Sequence, residues 1–197
     1  SWTTIIPIWP VGVGGVGQGP VAPFLVPRPR DFTAGVYTLR TTGSGEPPTD
    51  DDLFRTVTRG MPGTAMPAWP QLPADDRRAV IGYIKRLSDV FKARGTALTP
   101  AKEIAVSPEV IARGKAVYDR AKCWECHGRE GRGDGPNAPT LRDDFGNAVR
   151  AADLEKGWRL KGGREARDIF MRISTGLDGT PLPSYADSLS EAERWAL

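Results

Sequence analysis

Four stretches of this chain recur 116 residues later. Gly15-Val-Gly-Gln-Gly-Pro20 returns as Gly131-Arg-Gly-Asp-Gly-Pro136, and Ala22-Pro-Phe-Leu25 returns as Ala138-Pro-Thr-Leu141. Asp52-Leu-Phe54 returns as Asp168-Ile-Phe170, and Gly63-Thr-Ala-Met-Pro-Ala-Trp69 as Gly179-Thr-Pro-Leu-Pro-Ser-Tyr185. Asp31 to Arg40 pairs more loosely with Asp153 to Lys161, through compensating changes of loop length. One offset shared by four separated stretches points to one fold written twice, and two repeats are too few for a solenoid. At 197 residues the chain has room for two small domains. Gly and Pro together make up 41 of those residues, so short elements held by long loops are expected.

The elements read as helices. Ser107-Pro108-Glu109 supplies an N-cap, a proline at the first helical position and an early acid. It opens a helix through Val110, Ile111, Val117 and Tyr118 up to Cys123. A second helix is expected near Glu165 to Ser174, with Ile169, Phe170 and Ile173 at helical spacing and Gly176 as the stop. Ser190 and Glu193 form a capping box for a last helix through Trp195. In the first copy, Thr49-Asp-Asp-Asp52 opens a helix to Gly60, and Pro73 opens another through Ile81, Ile84 and Leu87. No strand pattern competes, so the fold class is all-α. The expected division is residues 1–91 for the first copy, a polar Thr/Ala-rich linker over 92–106, and 107–197 for the second.

Composition narrows the chemistry. The net charge of +3 lies wholly in the first 98 residues and is too mild to argue for nucleic acid. No apolar run approaches the roughly 20 residues of a membrane helix. The chain has two cysteines and one histidine, too few for a disulfide scaffold, and all three fall in one pentapeptide, Cys123-Trp-Glu-Cys126-His127. C-x-x-C-H is the spacing of covalent haem attachment: each thiol adds to one haem vinyl group, and the adjacent imidazole can reach the iron. A structural zinc site wants four ligands, and no further Cys or His exists to supply the fourth. A redox C-x-x-C expects a βαβ context that is not seen here.

On these residues the chain resembles the class I cytochromes c: a helix ending in C-x-x-C-H, a Gly/Pro loop, a short helix, a G-T-x-M-P turn and a closing helix. The likeness covers residues 107–197 and most of the first copy, and the tandem arrangement is similar to that of dihaem cytochromes c. It implies one covalent haem c, thioether-linked at Cys123 and Cys126, with His127 as proximal iron ligand. It also implies that Pro139 offers a backbone carbonyl to the His127 ring, and that Trp195 packs against Gly114, with Tyr118 one turn further on. The activity implied is one-electron transfer with protein redox partners. Because bacteria attach haem covalently outside the cytoplasmic membrane, a periplasmic or membrane-facing location follows.

Two departures from the family pattern matter. The distal ligand in the family is the methionine of the G-T-x-M-P turn. The first copy has it, Met66, but the second copy, which owns the attachment motif, has Leu182. Leucine has no lone pair for iron, and Met171, aligned with Arg55, is expected in the core or on the surface. The other departure is at the start: shifting residues 123–127 back by 116 lands on Pro7-Ile-Trp-Pro-Val11, with no thiol. The first copy is therefore expected to bind no covalent haem. A fragment of a longer protein, with its opening segment replaced and its closing helix cut short, is the expected explanation. Leu182 also opens an alternative function, a five-coordinate haem that binds a small ligand or reacts with peroxide.

Overall fold

The computed structural model describes residues 12–100 and 102–197. Six α-helices lie among them: α1 (Asp50–Arg59), α2 (Ala74–Lys85), α3 (Pro108–Arg120), α4 (Trp124–His127), α5 (Ala166–Thr175) and α6 (Glu191–Ala196). Among the described residues there is no strand, only isolated bridges between Thr42 and Ala97 and between Arg142 and Ala148. The described residues are helical without strands, consistent with the all-α class that the periodicity implies.

Local chemistry sets the helix ends. At α1 the Thr49 hydroxyl accepts from the Asp52 amide at 3.1 Å, and the Asp52 carboxylate accepts from the Thr49 amide at 3.0 Å. Three aspartates in the first turn also face the positive end of the helix dipole. Both α1 and α5 stop at a glycine in the left-handed region, Gly60 at φ 66° and Gly176 at φ 69°. Space demands glycine there as well. A Cβ on Gly60 would lie 2.6 Å from the Ala68 nitrogen, and one on Gly176 would lie 2.6 Å from the Ser184 nitrogen.

Those two positions begin turns with the same wiring. Met61 donates to the Met66 carbonyl at 3.0 Å, and Leu177 donates to the Leu182 carbonyl at 3.0 Å. The Thr64 hydroxyl bonds the Met61 carbonyl, as the Thr180 hydroxyl bonds that of Leu177. Trp69 then donates back to Val57 and Tyr185 to Ile173. Each pair is separated by 116 residues, so the sequence repeat is also a repeat of hydrogen bonds.

In the first half, Tyr37, Leu53, Val57 and Ile81 form a buried cluster walled by Phe32, Phe54, Met66 and Trp69. In the second half, α3, α5 and α6 enclose Val117, Phe170, Met171 and Leu189. Trp195 was expected on Gly114; its ring instead stacks on Phe170, with centroids 4.2 Å apart at 20°. Gly114 meets the backbone of α6, where any Cβ would overlap the Ala196 carbonyl. The residue next to Trp195, not Trp195 itself, demands the glycine. The stretch 92–106, expected as a linker, runs back along the first half as far as Leu98, whose amide donates to Thr41 at 2.8 Å.

The capping box of α6 is also an ion-pair site. Glu193 accepts from Ser190 and from Arg120 of α3, and these bonds, the one to Arg120 first, hold its carboxyl down at about 2 from an ordinary 4.5. Because the folded state holds the pKa low, the unfolded chain takes up the proton first as pH falls. The stabilisation is complete above about pH 4.5 and is lost as pH falls towards 2. The difference in urea midpoint between the parent and Glu193→Gln is therefore expected to be constant above pH 4.5 and to close below it.

Candidate functional site

Helix α3 ends where Lys122 takes a left-handed φ of 55°, which turns the chain into α4 and presents Cys123, Cys126 and His127 on one turn. A four-residue helix cannot satisfy its own carbonyls. The glycine-rich loop after it does so. Gly128 donates to Trp124, Asn137 to Glu125 at 2.8 Å, Gly135 to Cys126 at 3.2 Å and Gly133 to His127 at 2.8 Å. Side chains would block this approach: a Cβ on Gly135 would overlap the Glu125 carbonyl. The repeated glycines of the motif G-x-G-x-G-P thus hold the C-x-x-C-H turn in shape.

Both thiols are free and half-buried. Burial pushes each up from its ordinary 9.0, helped at Cys123 by Cys126 and at Cys126 by Glu125. Tyr118 and Tyr185 flank them. Tyr118 donates to the Gly128 carbonyl at 2.7 Å, and burial, with the nearby Cys123, raises its hydroxyl to about 12. Tyr185 is likewise raised by burial and then by Cys123 and Cys126.

The His127 ring has one nitrogen engaged. Its Nδ1 lies 3.0 Å from the carbonyl of Ala152. With Nδ1 donating to that acceptor, Nε2 keeps its lone pair for a metal, and the ring orientation is set. The carbonyl expected from Pro139 is thus supplied from elsewhere. Pro139 sits inside a 3₁₀ turn, Ala138–Thr140, while residues 151–154 are drawn against the glycine loop. Leu154 donates to the Gly131 carbonyl at 2.6 Å, and Gly133 lies against the Ala151 carbonyl. A backbone oxygen 25 residues away carries no side-chain signal, so the sequence could not point to it.

Leu182 is half-buried at the turn position that Met66 occupies in the first half. Met66 packs beside the Tyr37–Ile81 cluster. Met171 lies 8% exposed in the core of the second half. Residues 7–11, which correspond to 123–127, lie outside the described residues. Among the described residues no group of three or more His, Cys, Asp or Glu side chains could hold a metal ion. The donor set at 123–127 is two thiols and one imidazole with a free Nε2. That set fits a haem held by two thioethers and one axial nitrogen.

A helical chain with this turn, capped in this way, belongs to the class of proteins that fix haem through paired cysteines. The Cytochrome c family description matches residues 111–197. A solved chain of the Kuenenia stuttgartiensis reducing HAO-like protein complex is 39% identical, with a TM-score of 0.93, over 97% of this chain and 88% of that one. No curated protein matches. Residues 111–197 are a domain of the cytochrome c family, which implies covalently bound haem c and an electron-transfer role.

Proposed function

We propose that the protein carries single electrons in a periplasmic respiratory-type chain, with its haem thioether-linked to Cys123 and Cys126 and ligated by His127. The observation that carries this reading is the C-x-x-C-H turn itself, with every backbone carbonyl of α4 capped and the His127 Nδ1 tied to Ala152. The bound group supplies a one-electron iron couple. The chain's own residues set its surroundings: the Ala152 carbonyl makes the imidazole a stronger donor, and the half-buried Tyr118 and Tyr185 stand near the thiols. Partner proteins deliver and take the electron, and similarity to a subunit of a redox complex supports a place in such an assembly. Among the described residues no helix is long and apolar enough to cross a membrane. The periplasm, or the outer face of the cytoplasmic membrane, is the location consistent with covalent attachment.

The same reading takes the chain as two tandem copies, divided as 1–91, 92–106 and 107–197. The hydrogen bonds repeated at an offset of 116 support it. The first copy has no thiol, so it forms no thioether, although Met66 stands at its distal-ligand position. Leu182 favours a second reading, in which the haem of residues 107–197 keeps an open axial position for a small ligand.

Mass spectrometry tests the attachment. The chain coexpressed with haem maturation machinery is expected to gain one haem on the peptide containing Trp124. Cys123→Ala and Cys126→Ala together should abolish that addition, and two free thiols in the parent protein would end the reading.

A further inference from the structure

The two repeated turns are alike inside and are held differently from outside. Among the described residues no hydrogen bond crosses from the second half to residues 59–66; Gly63 merely approaches the Arg159 carbonyl, which a Cβ there would meet at 3.4 Å. The Leu182 turn, by contrast, is tied to the first half just before it begins. The Asp178 carboxylate accepts from the Arg40 guanidinium at 2.7 Å, and from the Ser44 hydroxyl and the Gly45 amide at 2.8 Å each. The Asp178 carbonyl accepts from the Thr38 hydroxyl at 3.1 Å. Arg40 also donates to the carbonyl of Thr175, the last residue of α5, at 2.7 Å.

None of these bonds is needed to close the turn. Leu177 donates to the Leu182 carbonyl, and the Thr180 hydroxyl bonds the Leu177 carbonyl and the Leu182 amide, without help from Asp178. The first half closes the same turn with Pro62 at the corresponding position, which has no carboxylate. Every side-chain bond of Asp178 leads to the other half. From its own half, beyond the turn's internal bonds, residues 177–182 receive a single long one among the described residues, from the Asp144 amide to the Gly179 carbonyl at 3.4 Å. The turn's shape is therefore its own, and its place relative to the second half is set by the first.

A segment closed on itself but weakly fastened opens locally at low cost, so one strong fastening point governs how often it moves. The bond between Asp178 and Arg40 is such a point, being charge-assisted and formed by a fully buried guanidinium. We propose that Asp178 is a positioning residue of the haem site: through it the first half holds the Leu182 turn in place and limits the entry of a small axial ligand. The first half thus acts on the second as a brace, with no cofactor contact of its own required.

This rests on the reading that Leu182 leaves an axial position open, which cyanide binding to the parent protein checks separately. The test pairs the rate of cyanide association with the oxidised, haem-loaded full chain and hydrogen exchange at the amides of residues 177–182. Asp178→Ala is expected to raise both about tenfold, because the loosened turn is displaced more often. Thr38→Val, made in the first half, should raise both about threefold, and it replaces Asp178→Ala if that variant does not load haem. Glu193→Gln weakens the second half away from the turn and should leave both within about twofold of the parent. A purely structural Asp178 would lower the urea midpoint while behaving like Glu193→Gln in both measurements. Loaded Asp178→Ala and Thr38→Val proteins with parent-like exchange and cyanide rates would overturn the proposal. Faster exchange with an unchanged cyanide rate would overturn the role at the haem site. A parent protein that binds no cyanide would instead remove the open-position reading, and exchange at residues 177–182 would still decide whether Asp178 holds the turn.

Discussion

Leu182→Met is expected to change the visible spectrum of the haem-loaded protein from broad high-spin bands to a sharp low-spin ferrous α-band. The turn that carries Leu182 is wired like the turn that carries Met66: the amide of each donates to the hydroxyl of a threonine two residues back, and the carbonyl of each accepts from the amide five residues back. A methionine at 182 would thus start from a backbone frame that this chain already uses for methionine. Leucine and methionine are close in volume, so the exchange should cost under about 1.5 kcal/mol of stability. What changes is the lone pair. A thioether is a soft donor suited to haem iron, and Met/His ligation raises the reduction potential. Spectrum and potential should therefore move together. Met66→Leu is the control and should leave both unchanged, because the first half has no thiol to anchor a haem. If Leu182→Met alters neither, residue 182 does not lie over the iron, and the open-site reading falls with it. Met171 is no ready substitute, since it is already packed in the core.

What the sequence made legible is what short-range chemistry dictates. The capping boxes at Thr49 and Ser190 satisfy amides three residues away, so local spacing is enough to find them. Gly60 and Gly176 announce helix ends because few other residues adopt a left-handed backbone easily. C-x-x-C-H is readable for a similar reason, since covalent attachment fixes the spacing of its members. The proximal acceptor belongs to a different category. Pro139 was the family's position for it, but which carbonyl reaches His127 depends on how residues 151–154 settle on the glycine loop. Gly114 is a similar case, because its missing side chain accommodates the Ala196 carbonyl, a backbone contact that no side-chain pattern signals. The contact between Arg40 and Asp178 spans 138 residues and is announced by neither residue's neighbours. The repeat does carry one usable signal there: Arg40 and Lys161 correspond, but Asp178 and Pro62 do not.

Asp178→Ala should destabilise the folded chain by about 3 kcal/mol, near the lower end of the cost of breaking a buried ion pair from one side. The Arg40 side chain is fully buried, so loss of its partner leaves a guanidinium that water cannot reach. Three carbonyls soften that loss, because Arg40 also donates to Tyr37, Gly43 and Thr175. Asp178 does further work at the junction: its carboxylate accepts from the Ser44 hydroxyl and the Gly45 amide at 2.8 Å each. Those two donors are exposed and can turn to water, which is why the Arg40 term dominates. Urea denaturation of the haem-loaded protein measures the effect. Asp178→Asn keeps acceptors in place without the charge and should fall between parent and alanine variant. Removing both charges, as Arg40→Met with Asp178→Ala, should cost less than Asp178→Ala alone, since no buried charge is then stranded. If instead the double variant is the least stable of the set, Arg40 is held chiefly by the three carbonyls, and the ion pair adds little to the joining of the two halves.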